Sequence, residues 1–159
     1  MSRISVWRIV DRRYAASAFD GAGAEITGGR FNSRGTKVVY TSDSLSLALL
    51  ETLVRVNKRD RLRNQVCIRA EFDSRHVTVV DIADLPEDWD SIPPVLATRH
   101  VGDAWIESGV SLVLQVPSVV IPQQSNYLIS PSHRSMSKLK ISDPIRVPID
   151  ERLDGLLAS

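Results

Sequence analysis

The amino-acid sequence predicts an α+β domain built on mostly antiparallel sheet. Three observations carry that expectation. Six short segments are alternating, β-branched or aromatic at strand length, whereas only two stretches have helical character. Glycine and proline are also segregated: five of the eight glycines fall between Gly21 and Gly35, and all eight prolines lie from Pro86 onward. Neither a repeat nor a low-complexity linker interrupts the 159 residues, so the chain reads as one domain over 1–159.

Taken in order, Ser5–Val10 alternates in period two and reads as a first strand, followed by a long glycine-containing loop up to Arg30-Phe31-Asn32. Lys37–Thr41 is β-branched and aromatic and reads as a second strand. Ser42 or Ser44 then caps a leucine-rich helix from Leu45 to about Asn57, free of glycine and proline. Further strands are expected at Val66–Phe72, His76–Ile82, Ser111–Val116 and Ile145–Ile149, with a shorter helix around Thr98–Ser108.

The bulk composition excludes several classes. Apolar residues make up 43% and charged residues 25%, ordinary values for a globular domain, and the net charge of +1 sets up no global field for nucleic acid or anionic membrane. No apolar run approaches the roughly 20 residues that span a bilayer, and the charged Met1–Asp11 segment lacks a signal-peptide core, so a cytoplasmic protein is expected. Cys67, the single cysteine, lies in an alternating apolar stretch and reads as a small core residue. His76, His100 and His133 lack metal-ligand spacing, and no GxSxG elbow surrounds Ser118, which argues against a metal site and a serine hydrolase.

Among candidate functional residues, Glu51 is the most informative. On a helix it shares a side with Leu47 and Val54, among leucines that leave little polar surface, and a carboxylate there needs a partner or a task. The alternative is a rim glutamate paired with Arg55 or another surface cation. Arg30 follows Gly28-Gly29, which lets backbone approach a ligand, and its bidentate fork suits a pyrophosphate; a surface arginine on a mobile loop is the other reading. Tyr40 ends a strand just before the capped helix and offers either a stacking face or a core ring.

In order along the chain, Trp7-Arg8-Ile9, Gly28-Gly29-Arg30-Phe31-Asn32, Val38-Val39-Tyr40 and Ser44 through Glu51 resemble the first half of a RES domain. Trp105, Val116-Pro117-Ser118, Asn126-Tyr127-Leu128-Ile129, Pro131-Ser132-His133 and Asp150-Glu151-Arg152-Leu153 resemble its later blocks. Ser130 stands where that family usually carries asparagine, and it is a rival to Ser118 for the family's serine. The resemblance implies an ADP-ribosyltransferase-like fold and the toxin half of a bacterial toxin–antitoxin pair. NAD would be its substrate, with no metal.

What the resemblance implies for the site is that Arg30 grips the pyrophosphate with Arg8 as a second cation, Tyr40 stacks on nicotinamide, and Glu51 stabilises the ribose cation. Ser118 or Asn126 would orient the nicotinamide amide or a ribose hydroxyl. The acceptor of ADP-ribose is left open among water, phosphate and a protein side chain. The implied partner is an Xre-like helix-turn-helix antitoxin, with neither membrane nor nucleic acid bound directly. Two competing functions are a non-catalytic nucleotide- or peptide-binding module and an RNA-targeting toxin.

Overall fold

Eight strands form a single hydrogen-bonded sheet path with three α-helices around it, in a computed structural model that describes residues 2–55, 62–147 and 150–153. The strands are β1 (Arg3–Asp11), β2 (Val39–Ser42), β3 (Gln65–Asp73), β4 (Val77–Val79), β5 (Val113–Pro117), β6 (Ser125–Ile129), β7 (Lys140–Ile141) and β8 (Ile145–Arg146). The helices are α1 (Ala22–Thr27), α2 (Leu45–Leu53) and α3 (Leu96–Ser108). The strand order is β4-β5-β6-β2-β1-β3-β7, with β8 also on β3. Among the described residues only β4–β5 is parallel; the other pairings are antiparallel.

The register explains where the core sits, because residues directly opposite one another share a face. Tyr40 pairs with Leu128 and Ser42 with Asn126, while Leu114 and Val116 oppose the same two β6 residues. Leu114, Val116 and Leu128 pack there with Phe31, Trp89 and Trp105, and Tyr40 packs against them. On the reverse face, Val39, Val113, Tyr127 and Ile129 join Val6, Ala70 and Phe72 of β1 and β3. With apolar layers on both faces, the central strands lose the polar half of a period-two pattern.

The α2 helix packs on β1 through a third cluster, in which Ala48, Leu45 and Leu49 meet Ile9, Trp7 and Cys67. Ser44 caps it by accepting the Leu47 N–H at 3.0 Å. Of the two candidate caps, then, Ser44 performs the task and Ser42 is released for another. The helix ends at Leu53, short of the expected Asn57, which lies outside the described residues.

Several other boundaries differ for identifiable reasons. The expected strand at His76–Ile82 shrinks to Val77–Val79 because short 3-10 turns at Ser74–His76 and Ile82–Asp84 flank it, opened by Asp73 and Asp81. The strand expected at Ile145–Ile149 is observed at Ile145–Arg146, and 148–149 lie outside the described residues. α1 and the central strand β6 were not anticipated as elements. Cys67 is fully buried between Ile9 and the α2 side chains, as a core residue. Among the described residues, no helix is long and apolar enough to cross a membrane.

Candidate active site

Chain geometry delivers Glu51 to the polar end of the sheet. α2 covers the β1 face carrying Trp7 and Ile9, and Trp7 pairs with Ser42, so the helix overhangs the edge where Ser42 and Asn126 emerge. There Oε1 of Glu51 accepts two hydrogen bonds, from Ser118 Oγ at 2.7 Å and from Asn126 Nδ2 at 2.7 Å. Arg55 donates to the Glu51 backbone carbonyl rather than to its carboxylate, so the expected pairing with Arg55 is not the one observed.

Each donor is itself fixed. Ser118 is completely buried, and its hydroxyl oxygen accepts the N–H groups of Val120 and Ile121, both at 3.1 Å, which directs its own proton at Glu51. The Asn126 amide is oriented by Ser42, whose hydroxyl donates to Asn126 Oδ1 at 2.8 Å. Flipping that amide would set its carbonyl oxygen against the carboxylate. Ser42 is thus a site residue that pattern reading missed, although its place two residues after Tyr40 on a strand was the available signal. Ser130, the rival serine, makes backbone bonds with Leu112 and His133 and none with Glu51. Ser118 is the serine that joins the glutamate.

Tyr40 belongs to a second network. Its hydroxyl donates to Asn32 Oδ1 at 2.6 Å and accepts the Phe31 N–H at 3.1 Å. Asn32, fully buried, turns its amide nitrogen to the carbonyls of Ala24, Ser33 and Thr36. A Cβ at Gly29 would stand 2.7 Å from the Tyr40 hydroxyl oxygen, so only glycine lets the loop close over this ring. Burial pushes the phenol well above its ordinary range, which keeps it neutral. Committed at its hydroxyl, Tyr40 can serve a ligand only through its ring.

Two arginines flank this tyrosine. Arg30 donates through Nη1 to the carbonyls of Trp89 and Ser91, both at 2.8 Å. Burial lowers its pKa, with Glu51 and Asp90 opposing that shift, so Arg30 lies within electrostatic reach of the glutamate. Arg8 alternates with Trp7 and Ile9 along β1 and leaves the α2-covered face. Its Nε donates to Ala18 O at 2.7 Å and its Nη1 to the Tyr40 carbonyl at 3.0 Å. Desolvation first, then repulsion from Arg55, pull its pKa down to about 10, against a weaker opposing pull from Asp20. Both shifts come first from burial: the charges near Arg30 favour its charged form, whereas Arg8 has Arg55 against it and Asp20 in its favour.

Arg8 and Arg55 line a cavity of about 680 Å³, together with Arg13, Tyr14, Thr27 and Thr52. It opens where β1, past Trp7, has β3 but no longer β2 as neighbour. Arg30, Tyr40 and Glu51 lie outside its lining; Arg8 connects the two regions through its bond to the Tyr40 carbonyl. Of the six residues expected at the site, Glu51, Ser118 and Asn126 form one hydrogen-bonded group, Arg8 is joined to the Tyr40 carbonyl, and Arg30, bonded to Trp89 and Ser91, lies within electrostatic reach of Glu51. Among the described residues, no group of three His, Cys, Asp or Glu side chains is arranged to hold a metal ion.

A family model for the RES domain matches residues 5–150. This chain belongs to the RES domain family. Its RES domain is 38% identical over 149 residues to Toxin Res of Yersinia enterocolitica, an alignment that spans 93% of this chain and 98% of that protein. It is 36% identical over 141 residues to a Prs ADP-ribosylating toxin of Sphingobium, spanning 86% of this chain and 88% of the relative. The chain thus stands among RES-domain toxins. In structure it resembles a chain of the M. tuberculosis MbcT–MbcA toxin–antitoxin complex with a TM-score of 0.75 at 16% identity, covering 98% of this chain and 89% of that one. The α+β, mostly antiparallel architecture expected from the sequence is the one observed.

Proposed function

We propose that this RES domain breaks the bond between nicotinamide and ribose in NAD, with Glu51 as the residue that stabilises the positive charge developing on the ribose. The observation that carries this reading is the Glu51 carboxylate, anchored on one oxygen by Ser118 and Asn126, near a cavity lined by Arg8, Arg13 and Arg55 as well as Asp11 and Asp20. In this reading the C–N bond breaks with its electron pair leaving on nicotinamide, which becomes neutral, while the ribose carbon becomes oxocarbenium-like. Glu51 faces that cation and the ribose hydroxyls. Preorganised charge of this kind contributes on the order of 3–4 kcal/mol.

Arg8 and Arg30 would contact the pyrophosphate, Arg8 from the cavity side; a dianion there relieves the repulsion between Arg8 and Arg55. The Tyr40 ring stacks on nicotinamide. Ser118 and Ser42 act as positioning residues, and Asn126, partly accessible, both positions Glu51 and can reach substrate. This departs from the sequence-based role of Ser118, since its complete burial leaves no face for a substrate.

At the level of the cell, our reading is a cytoplasmic toxin, held in check by an antitoxin of Xre-like helix-turn-helix type, that depletes NAD or modifies a protein with ADP-ribose; the relatives' names support its toxin part. The name of the Sphingobium relative favours a protein acceptor, while water and phosphate use the same bond-breaking site. Incubation of the pure protein with NAD tests the activity. Nicotinamide release by wild type and not by Glu51→Ala is expected; equal rates from the two would sink the proposal. Mass spectrometry of the products, with and without phosphate, identifies the acceptor.

A further inference from the structure

The Arg30 loop owes its shape to a helix distant in sequence. On α3 the buried residues are Thr98, Gly102 and Trp105, one face at helical spacing. Gly102 sits against the loop so tightly that a Cβ there would lie 1.7 Å from the Phe31 carbonyl oxygen. The next residue, Asp103, uses both carboxylate oxygens on one loop residue: Oδ1 accepts the Ser33 backbone N–H at 2.8 Å and Oδ2 accepts the Ser33 hydroxyl at 2.5 Å. Counted along the loop, Arg30 is tied to Trp89 and Ser91, Phe31 to Tyr40, Asn32 to Tyr40 and Ala24, and Ser33 to α3.

Resting on the NAD reading above, we infer that Asp103, seated by Gly102, is a positioning residue for substrate binding: it clamps Ser33 so that Arg30 and the Tyr40 ring are held in place before NAD arrives. Charge-assisted bonds to a backbone N–H and a hydroxyl are short and directional, and such a bidentate grip fixes orientation as well as distance. The grip matters because displacements of about 1 Å at a positioning group can cost as much as ~100-fold in rate. Only Phe31 and Asn32 separate Ser33 from Arg30, so loosening the clamp acts on Arg30 and Tyr40 and leaves the Ser118–Glu51–Asn126 group intact.

The test compares wild type with Asp103→Ala, Asp103→Asn and Ser33→Ala, at a temperature well below each variant's unfolding midpoint. Steady-state nicotinamide release should show KM for NAD rising about tenfold in Asp103→Ala with kcat changed less than about threefold, and Asp103→Asn, which keeps one acceptor, recovering part of the loss. Hydrogen exchange of the peptide covering Gly28–Thr36 should quicken in Asp103→Ala while β3 and β5 peptides exchange as in wild type. An unchanged KM overturns the positioning role, whether or not the loop exchanges faster. Absence of nicotinamide release by wild type is a different result and overturns the activity itself, and this role with it. Gly102→Ala should displace the loop more severely, and Asp103→Asn keeps the question answerable if that variant does not fold.

Discussion

Replacing Ser118 with alanine separates a residue that shapes the carboxylate from one that merely fills space. The hydroxyl donates to Glu51 Oε1 at 2.7 Å, a hydrogen bond to a charged group with a net contribution of about 1.5–3 kcal/mol. It also accepts from Val120 and Ile121 at 3.1 Å, but both residues are only partly buried and water can take over those N–H groups. Stability should therefore fall by about 2 kcal/mol, which for a chain of this size lowers Tm by roughly 4–8 °C. Glu51 keeps Asn126 as its second donor, so the carboxylate is loosened rather than lost. A loss of about tenfold in kcat is expected, part of the ~3–4 kcal/mol assigned to Glu51, with little change in KM. A double-mutant cycle decides the cause. In a Glu51→Gln background, Ser118→Ala should reduce nicotinamide release no further. An equal loss in both backgrounds, or a full kcat in Ser118→Ala despite a lowered Tm, would show that Ser118 does not act through Glu51.

Three further perturbations probe the neighbouring groups. Asn126→Asp removes the donor to Glu51 and sets a second carboxylate beside it, so turnover should drop at least ~100-fold; activity near wild type would refute the donor role. Arg8→Lys keeps the charge but cannot span the Ala18 and Tyr40 carbonyls as a fork, and KM for NAD should rise about tenfold, more steeply with added salt; an unchanged KM removes Arg8 from binding. Tyr40→Phe retains the ring while orphaning Asn32 Oδ1 and the Phe31 N–H, costing about 1–3 kcal/mol of stability in chemical denaturation, whereas KM should shift only slightly. It also alters alkaline stability. The folded phenol is raised above its unfolded value near ~10, so the native state holds a proton that the unfolded chain releases, and stability falls as pH climbs past that point. The buried Arg8, lowered to about 10, pulls the opposite way over the same range, so the comparison is wild type against Tyr40→Phe, in which this component of the decline should vanish.

How far the fold was legible depended on whether one face of an element met something different from the other. β1 and β3 alternate, and Ser5–Val10 and Val66–Phe72 each lie within the observed strands, which extend slightly further at both ends. β6 failed that test. It lies between β5 and β2 with apolar layers on both sides, so Tyr127, Leu128 and Ile129 are all buried and no alternation survives. α1 was hidden by composition: six residues containing Gly23, with Gly21 and Gly28 at positive φ on either side, read locally as a loop. β4 was overestimated because the apolar run continued through residues that Asp73 and Asp81 divert into turns.

The candidate residues could be named from the sequence, but their wiring could not. Each of Arg30, Tyr40 and Glu51 admitted a bland explanation when taken alone, and only their order along a RES-like chain raised them together. The contacts that define them run across 59 residues from Arg30 to Trp89, 67 from Ser118 to Glu51 and 75 from Asn126 to Glu51, separations at which local pattern carries no information. Those long connections also account for the division of labour. A carboxylate on a surface helix would be free to rotate and to pair with any cation; held by β5 and β6 through a buried serine and an oriented amide, it presents a fixed charge. Tyr40 shows the same logic from the other direction, since its hydroxyl is spent entirely on Asn32 and Phe31. What remains for a ligand is the ring, one oxygen of Glu51 and the flanking guanidinium groups. Such a site stabilises charge without itself exchanging protons through the tyrosine. It fits the loss of a neutral leaving group from a cationic substrate better than it fits general acid–base hydrolysis.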